Sequence, residues 1–386
     1  MLSEEDIKAR FIPFDSLRYT TEAFIDYCIP ECSPKYNYAL IGPGVSQNPK
    51  QPVSLREKHG FQVGGISMPH GKTNPAHMHF TAEVFICFKG HWQMQWGFNP
   101  GVHTADVGEG DILTVPPWIY RGFKNIGVDD GFMFTGLGRD STGGILWGPS
   151  TLKAASAQGV HLTEDYQIID ERAGQKWDAS QKALTPMTPE EIAALRIWSP
   201  AQMGQRIVRF AELDWSGDAL LDASLPGCGA QLAPVLGLGM SEDRDHQAPV
   251  TNSHGFSIEW LRLPAGGRVS RHRLQEKQVL ITYRGQVQIR VEKDNLDPDS
   301  LPGNTVTLQA SGSPQGWDSY AMPADCWRSL HNAGDTEALV LLMTAGDARK
   351  HITWATDVIR AAGECDKAMD ANGYVGAKHF IDRAQP

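Results

Sequence analysis

Hydrophobic and polar positions alternate with a period of two in several short stretches. Trp92, Met94 and Trp96 alternate with Gln93 and Gln95, as a strand with one buried face requires. Phe61 to Met68 and Phe256 to Leu263 are runs rich in β-formers, each ending at a proline. Val84 to Phe88 and Val279 to Tyr283 are compact apolar runs halted by Gly90 and Gly285. Many short strands punctuated by Gly and Pro predict a barrel or jelly roll. Helix signals sit outside these stretches. Ser3 to Asp6 resembles a capping box. Thr188-Pro189-Glu190-Glu191 is a stronger one, with Pro at the first helical position, and predicts a short helix through Arg196. His351 to Ala362 is a candidate C-terminal helix.

The strand pattern occurs twice. His59-Gly60-Phe61 matches His254-Gly255-Phe256 at an offset of 195 residues, and the same offset carries Pro69, Gly71, His77 and Gly90 onto Pro264, Gly266, His272 and Gly285. Pro116, Arg121, Asn125 and Gly127 meet Pro323, Arg328, Asn332 and Gly334 at an offset of 207. The difference of 12 residues is an insertion in the second copy, placed in the polar stretch Lys293 to Asn304. Two blocks in the same order indicate duplication. The expected organisation is an N-terminal arm over 1–55, a first barrel over 56–147, a connection with a short helix over 148–205, a second barrel over 206–348 and a helical extension over 349–386.

The candidate chemistry lies in the first copy. His77 and His79 are two apart, so on one strand they face the same side. Glu83 lies beyond a short bend and can return to the same interior. Two imidazoles and a carboxylate suit iron(II), and also Mn, Ni or Zn. The segment from Gly71 through His77, His79 and Glu83 to Gly90 resembles the first cupin motif, and Gly110-Asp111, Pro116 and Asn125 resemble the second. The resemblance implies an all-β protein of two cupin barrels, with short helices at the N-terminus, in the connection and at the C-terminus. Pro116-Pro117-Trp118-Ile119-Tyr120 resembles the second motif of gentisate and salicylate 1,2-dioxygenases. That likeness implies His77 and His79 as iron ligands, and a ring-cleaving reaction with dioxygen.

Arg121 stands where that group carries its third histidine. A guanidinium stays protonated and is no ligand, which leaves Glu83 to complete the set. Arg121 then has two readings: a bidentate anchor for a substrate carboxylate, or a structural partner of Glu83. Arg121 and Tyr120 are the candidate catalytic residues. In the second copy the register sets His272, Leu274, Gln278 and Arg328 on His77, His79, Glu83 and Arg121, which makes no metal site. Arg271 and Arg273 flank His272 but alternate away from it. His91 is either a substitute ligand or base, or a surface loop residue. Cys87 either lines the cavity or is an inert buried thiol.

Composition narrows the partners. The formal charge of −10, without a long basic run, excludes a phosphate-neutralising nucleic-acid binder. The six cysteines show no metal or redox spacing, which fits reduced thiols in the cytoplasm. The acidic N-terminal stretch has no apolar signal region, and no apolar run is long enough to span a membrane. The expected activity is a metal-dependent dioxygenase acting on a small, carboxylated, aromatic substrate. The alternatives are a non-oxidative metal cupin (lyase, isomerase or decarboxylase) and a non-catalytic binding protein. The resemblance also implies a homo-oligomer.

Overall fold

The alternation at Trp92–Trp96 is realised as a strand whose two tryptophans and Met94 are buried, while Gln93 and Gln95 are less so. The computed structural model describes residues 2–98, 102–293 and 305–384. The chain forms two compact units, one of Arg18–Ala211 and one joining Met1–Leu17 to Glu212–Pro386.

In the first unit, two antiparallel sheets face each other. One has the strand order Ile207–Val208, Ile112–Val115, Glu83–Lys89, Gly131–Gly138, Phe61–Met68, Tyr36–Ile41 and Tyr19–Thr20, with Val53–Leu55 alongside Tyr36–Ile41 in parallel. The other runs Ile145–Trp147, Thr73–His79, Arg121–Asn125, Trp92–Trp96 and His103–Val107. Their inner faces share a core that includes Met68, Phe85, Trp92, Met94 and Phe123. Phe85 and Phe123, from opposite sheets, meet edge to face with centroids 5.3 Å apart. Burying one such ring contributes about 1.5–3 kcal/mol.

The second unit repeats the plan, with a difference. The strand Gln278–Glu292 runs 15 residues without a break. Its first half pairs with Ala338–Ala345 and its second half with Arg328–Asn332 and Thr305–Ser313. This strand therefore joins the two faces into one sheet. The N-terminal segment belongs here, with Phe11 and Ile12 pairing with Tyr320 and Ser319. Most of the expected insertion, residues 294–304, lies outside the described residues.

Side-chain contacts repeat with the sequence. Asp140 Oδ1 accepts the backbone N–H groups of His59 and Gly60, and Asp347 Oδ1 those of His254 and Gly255. Asn125 donates to the carbonyls of Met68 and Asp129 and accepts from Gly127 N–H. Asn332 does the same with Leu263, Thr336 and Gly334. The duplication also extends past the motifs. Tyr36–Ile41 matches Gln231–Leu236 at the first offset, and Ile145–Trp147, Pro149–Ala157, Val160–Leu162 and Ile168–Asp170 have counterparts through Val375–Ala377 at the second.

The helices depart from expectation in length. Thr188 does form the capping box, but its helix covers only Pro189–Ala193. Ser199, held extended by the following proline, caps a second helix over Pro200–Gly204 that the sequence reading missed. The C-terminal helix begins at Thr356 rather than His351, because Thr353 and Trp354 pair with Arg273 and His272. No helix among the described residues is long and apolar enough to cross a membrane.

Candidate metal centre

The two-residue spacing of His77 and His79 places both imidazoles at the end of the strand Thr73–His79, facing inward. This strand lies between Arg121–Asn125 and Ile145–Trp147, with His77 opposite both Arg121 and Trp147, and His79 opposite Ile145. Glu83 opens the next strand in the facing sheet, opposite Val115 and Leu137. The bend over residues 80–82 thus carries the chain from one sheet to the other, and the carboxylate comes back across the interior. The ligand atoms of His77, His79 and Glu83 all lie within 4.8 Å of one another, and all three residues are buried. Among the described residues no other such cluster exists.

A carbonyl lies within reach of each Nδ1. His77 Nδ1 lies 2.8 Å from the carbonyl of Pro75, and His79 Nδ1 lies 3.3 Å from that of Gly144. With Nδ1–H donated to these carbonyls, each Nε2 lone pair faces the cavity and can take a metal. Asn74 Nδ2 also approaches His77 Nδ1, at 3.1 Å. Two donors cannot share that nitrogen. The Pro75 contact is the shorter, and His272 has the same contact to Ser270 at 2.8 Å. His79 Nε2 stands 3.3 Å from Glu83 Oε2, and that oxygen has no hydrogen-bond donor. A lone pair opposite a buried carboxylate oxygen is unfavourable unless a cation or proton lies between them. The donor set therefore suits a divalent cation.

Electrostatics agree. Burial, reinforced by His79 and Arg121, pushes the His77 imidazole well below its ordinary value, so it is neutral and free to coordinate. Burial alone would raise the Glu83 carboxyl, but Arg121 and a proton on His79 Nε2, the position a metal would take, hold it below its usual range. The cavity is small, about 80 Å³, and is lined by all three ligands together with Phe85, Phe123 and Trp147. A wider open cleft of about 960 Å³ adjoins it, sharing Gly44, Val45, Ser46 and Ile145.

The remaining candidates fall elsewhere. Arg121 does not line the cavity. It is buried beside Glu83, with Nε 3.5 Å from Oε2, and Nη2 reaches the carbonyl of Pro116 at 3.4 Å. Burial lowers its pKa to about 10. Arg328 bonds Pro323 in the same way, at 3.4 Å, although Gln278 replaces the acid. Tyr120 faces a different cavity and directs its hydroxyl to Met187 Sδ at 3.4 Å. His91 is exposed and lies 3.8 Å from Asp106. Cys87 is buried, and burial raises its thiol well above the usual range. In the second unit Gln278 donates to Thr344 Oγ1, and Arg271 pairs with Glu292. Sequence reasoning missed Lys35, which is buried between Asp26 and Asn74 behind His77. No local signal marks it, since Lys35 and Asn74 are 39 residues apart.

No protein-family model matches this chain, and no curated protein does. Solved structures do. The chain is similar to oxalate decarboxylase of Lactobacillus farciminis in its formate complex, with a TM-score of 0.54 and 12% identity over 91% of this chain and 89% of that one. The fold is that of a bicupin. Oxalate decarboxylase of Bacillus subtilis matches with a TM-score of 0.52 and 12% identity, over 89% of this chain and 78% of that one. The bicupin fold is shared as well with vicilin from Capsicum annuum, at a TM-score of 0.54 and 10% identity, over 90% of this chain and 88% of that one. At these identities the likeness concerns the fold and not the activity.

Proposed function

We propose that this bicupin is a divalent-metal enzyme in which His77, His79 and Glu83 hold the ion and a short carboxylate is the substrate. The observation that carries the reading is the convergence of the His77, His79 and Glu83 ligand atoms, all buried, within 4.8 Å of one another. A bound divalent ion would serve there as a Lewis acid. Trp147 and the Pro75 and Gly144 carbonyls keep the imidazoles oriented. Arg121 acts behind Glu83 as a positioning residue and does not reach the substrate.

The enclosed space beside the three ligands, though it adjoins the wider cleft of about 960 Å³, favours the non-oxidative alternative over ring cleavage. About 80 Å³ suits a molecule of few heavy atoms, against the 300–1,000 Å³ or so of pockets for larger ligands. Two of the similar structures are named oxalate decarboxylases, and one of that kind is described with Mn(II) centres. That supports Mn(II) no less than iron(II) here. The test is turnover of oxalate and other short mono- and dicarboxylates by Mn(II)- or Fe(II)-loaded protein under argon. Product release that is abolished by His79→Ala is expected. Oxygen uptake with gentisate or salicylate in air, and no anaerobic turnover, would transfer the assignment to a ring-cleaving dioxygenase. Neither activity would sink the enzyme reading.

A further inference from the structure

A second cavity of the first unit, about 540 Å³, shares no lining residue with the one around His77. One wall is aromatic, from Trp96, Phe98, Trp118 and Tyr120; the other is the chain around the helix Pro189–Ala193, through Trp198. Among the described residues its lining includes Arg196 and His103 but no Asp or Glu. The Arg196 guanidinium lies over the Trp198 ring at 4.5 Å, and Arg206 lies over the same ring at 5.2 Å. Glu191, on the neighbouring helix, is engaged by Thr188 N–H at the helix start. Trp118 adds a separate signal. It is half exposed and sits at φ +62°, a left-handed conformation costly for a bulky side chain. Its duplicate Asp325 has φ +53°, where a short polar residue is at home. The duplicate of Trp96 is Val291, so both tryptophans are particular to the first copy. One part of the Trp118 ring packs on Phe80, with centroids 5.0 Å apart, and the rest is open to the cavity rim, where retained strain points to a ligand that uses the side chain.

We propose that this cavity binds an organic anion with a flat aromatic body, of the arylcarboxylate class, at a site separate from the His77–His79–Glu83 cluster. The aromatic wall supplies stacking area for the body. Arg196 supplies a planar fork for the carboxylate, and the lack of lining acids disfavours a cation. The site does not depend on the proposed enzymatic reading.

The test is binding of 2-naphthoate followed by tryptophan fluorescence, with neutral 2-naphthamide as control. Naphthoate is expected to saturate the signal and to bind about tenfold more tightly than naphthamide. Arg196→Gln, at an exposed position, is expected to erase that difference and leave naphthamide binding unchanged. His77→Ala is expected to alter neither. Equal affinity for the two probes, indifference to Arg196→Gln, or loss of binding in His77→Ala would overturn the proposal. So would naphthoate-driven dissociation of a dimer in sedimentation, which would give the cavity to a second copy of the chain.

Discussion

His77 and His272 are the same histidine in two copies. Each has Nδ1 2.8 Å from the carbonyl two residues earlier. Each tilts against a tryptophan, Trp147 or Trp354, with centroids 5.5 Å apart. The scaffold that orients the ring has thus been retained where the other ligands have not, for Leu274 and Gln278 replace the second imidazole and the acid. Burial depresses the His272 pKa to about 3, so this ring is a neutral core group.

Glu83→Gln places the second unit's residue at that position, with Leu137 where Gln278 has its acceptor Thr344. It is expected to weaken metal affinity by more than about 100-fold. The metal-free variant should also lose about 1–3 kcal/mol, because Arg121 stays buried without its carboxylate. Metal titration and urea unfolding measure the two effects. Unchanged metal affinity would remove Glu83 from the ligand set.

Trp147 is buried, packs on His77 and donates Nε1–H to Gln47 at 3.2 Å. Trp147→Phe is expected to cost about 1 kcal/mol from the lost hydrogen bond. Trp147→Ala is expected to cost about 3–5 kcal/mol from the cavity and to lower metal affinity as His77 loosens. Equal effects of the two substitutions, read by denaturant unfolding, would contradict this packing role.

Asn332 ties the carbonyls of Leu263, Pro264 and Thr336 to one amide. Asn332→Ala removes the amide from the Leu263 and Thr336 carbonyls and from Gly334 N–H, while Pro264 keeps Gly267 N–H, and is expected to destabilise its unit by about 2–4 kcal/mol. A loss under about 0.5 kcal/mol in urea unfolding would show that water replaces the amide.

Glu242 and Glu259 are buried in the second unit, and burial raises each carboxyl from 4.5 to about 8. The folded state therefore keeps protons that the unfolded chain gives up near pH 4.5. Stability from this source is complete below that pH, declines as pH rises toward about 8, and is flat above. Each group is expected to contribute on the order of a few kcal/mol across that window. Thermal unfolding of Glu259→Gln should show a shallower decline than the wild type between pH 5 and 8. An identical slope would exclude Glu259 as a source.

The strands and the pairing of His77 with His79 were legible because period-two alternation is local and robust. The outer limits of the duplication were not. Tyr36–Ile41 and Gln231–Leu236 share almost no side chains, and only the glycines that follow, Gly42 with Gly237 and Gly44 with Gly239, keep the offset. Alternation also held a warning about Tyr120: adjacent to inward-facing Arg121, it turns toward another cavity. The position of Lys35 behind Asn74 depends on tertiary packing, which no window of sequence contains.

The most direct test is elemental analysis of the wild type beside His77→Ala and His272→Ala, all loaded with the same divalent metal and dialysed. The account predicts about one ion per chain in the wild type and in His272→Ala, and essentially none in His77→Ala. Metal retained by His77→Ala, or lost from His272→Ala alone, would contradict it.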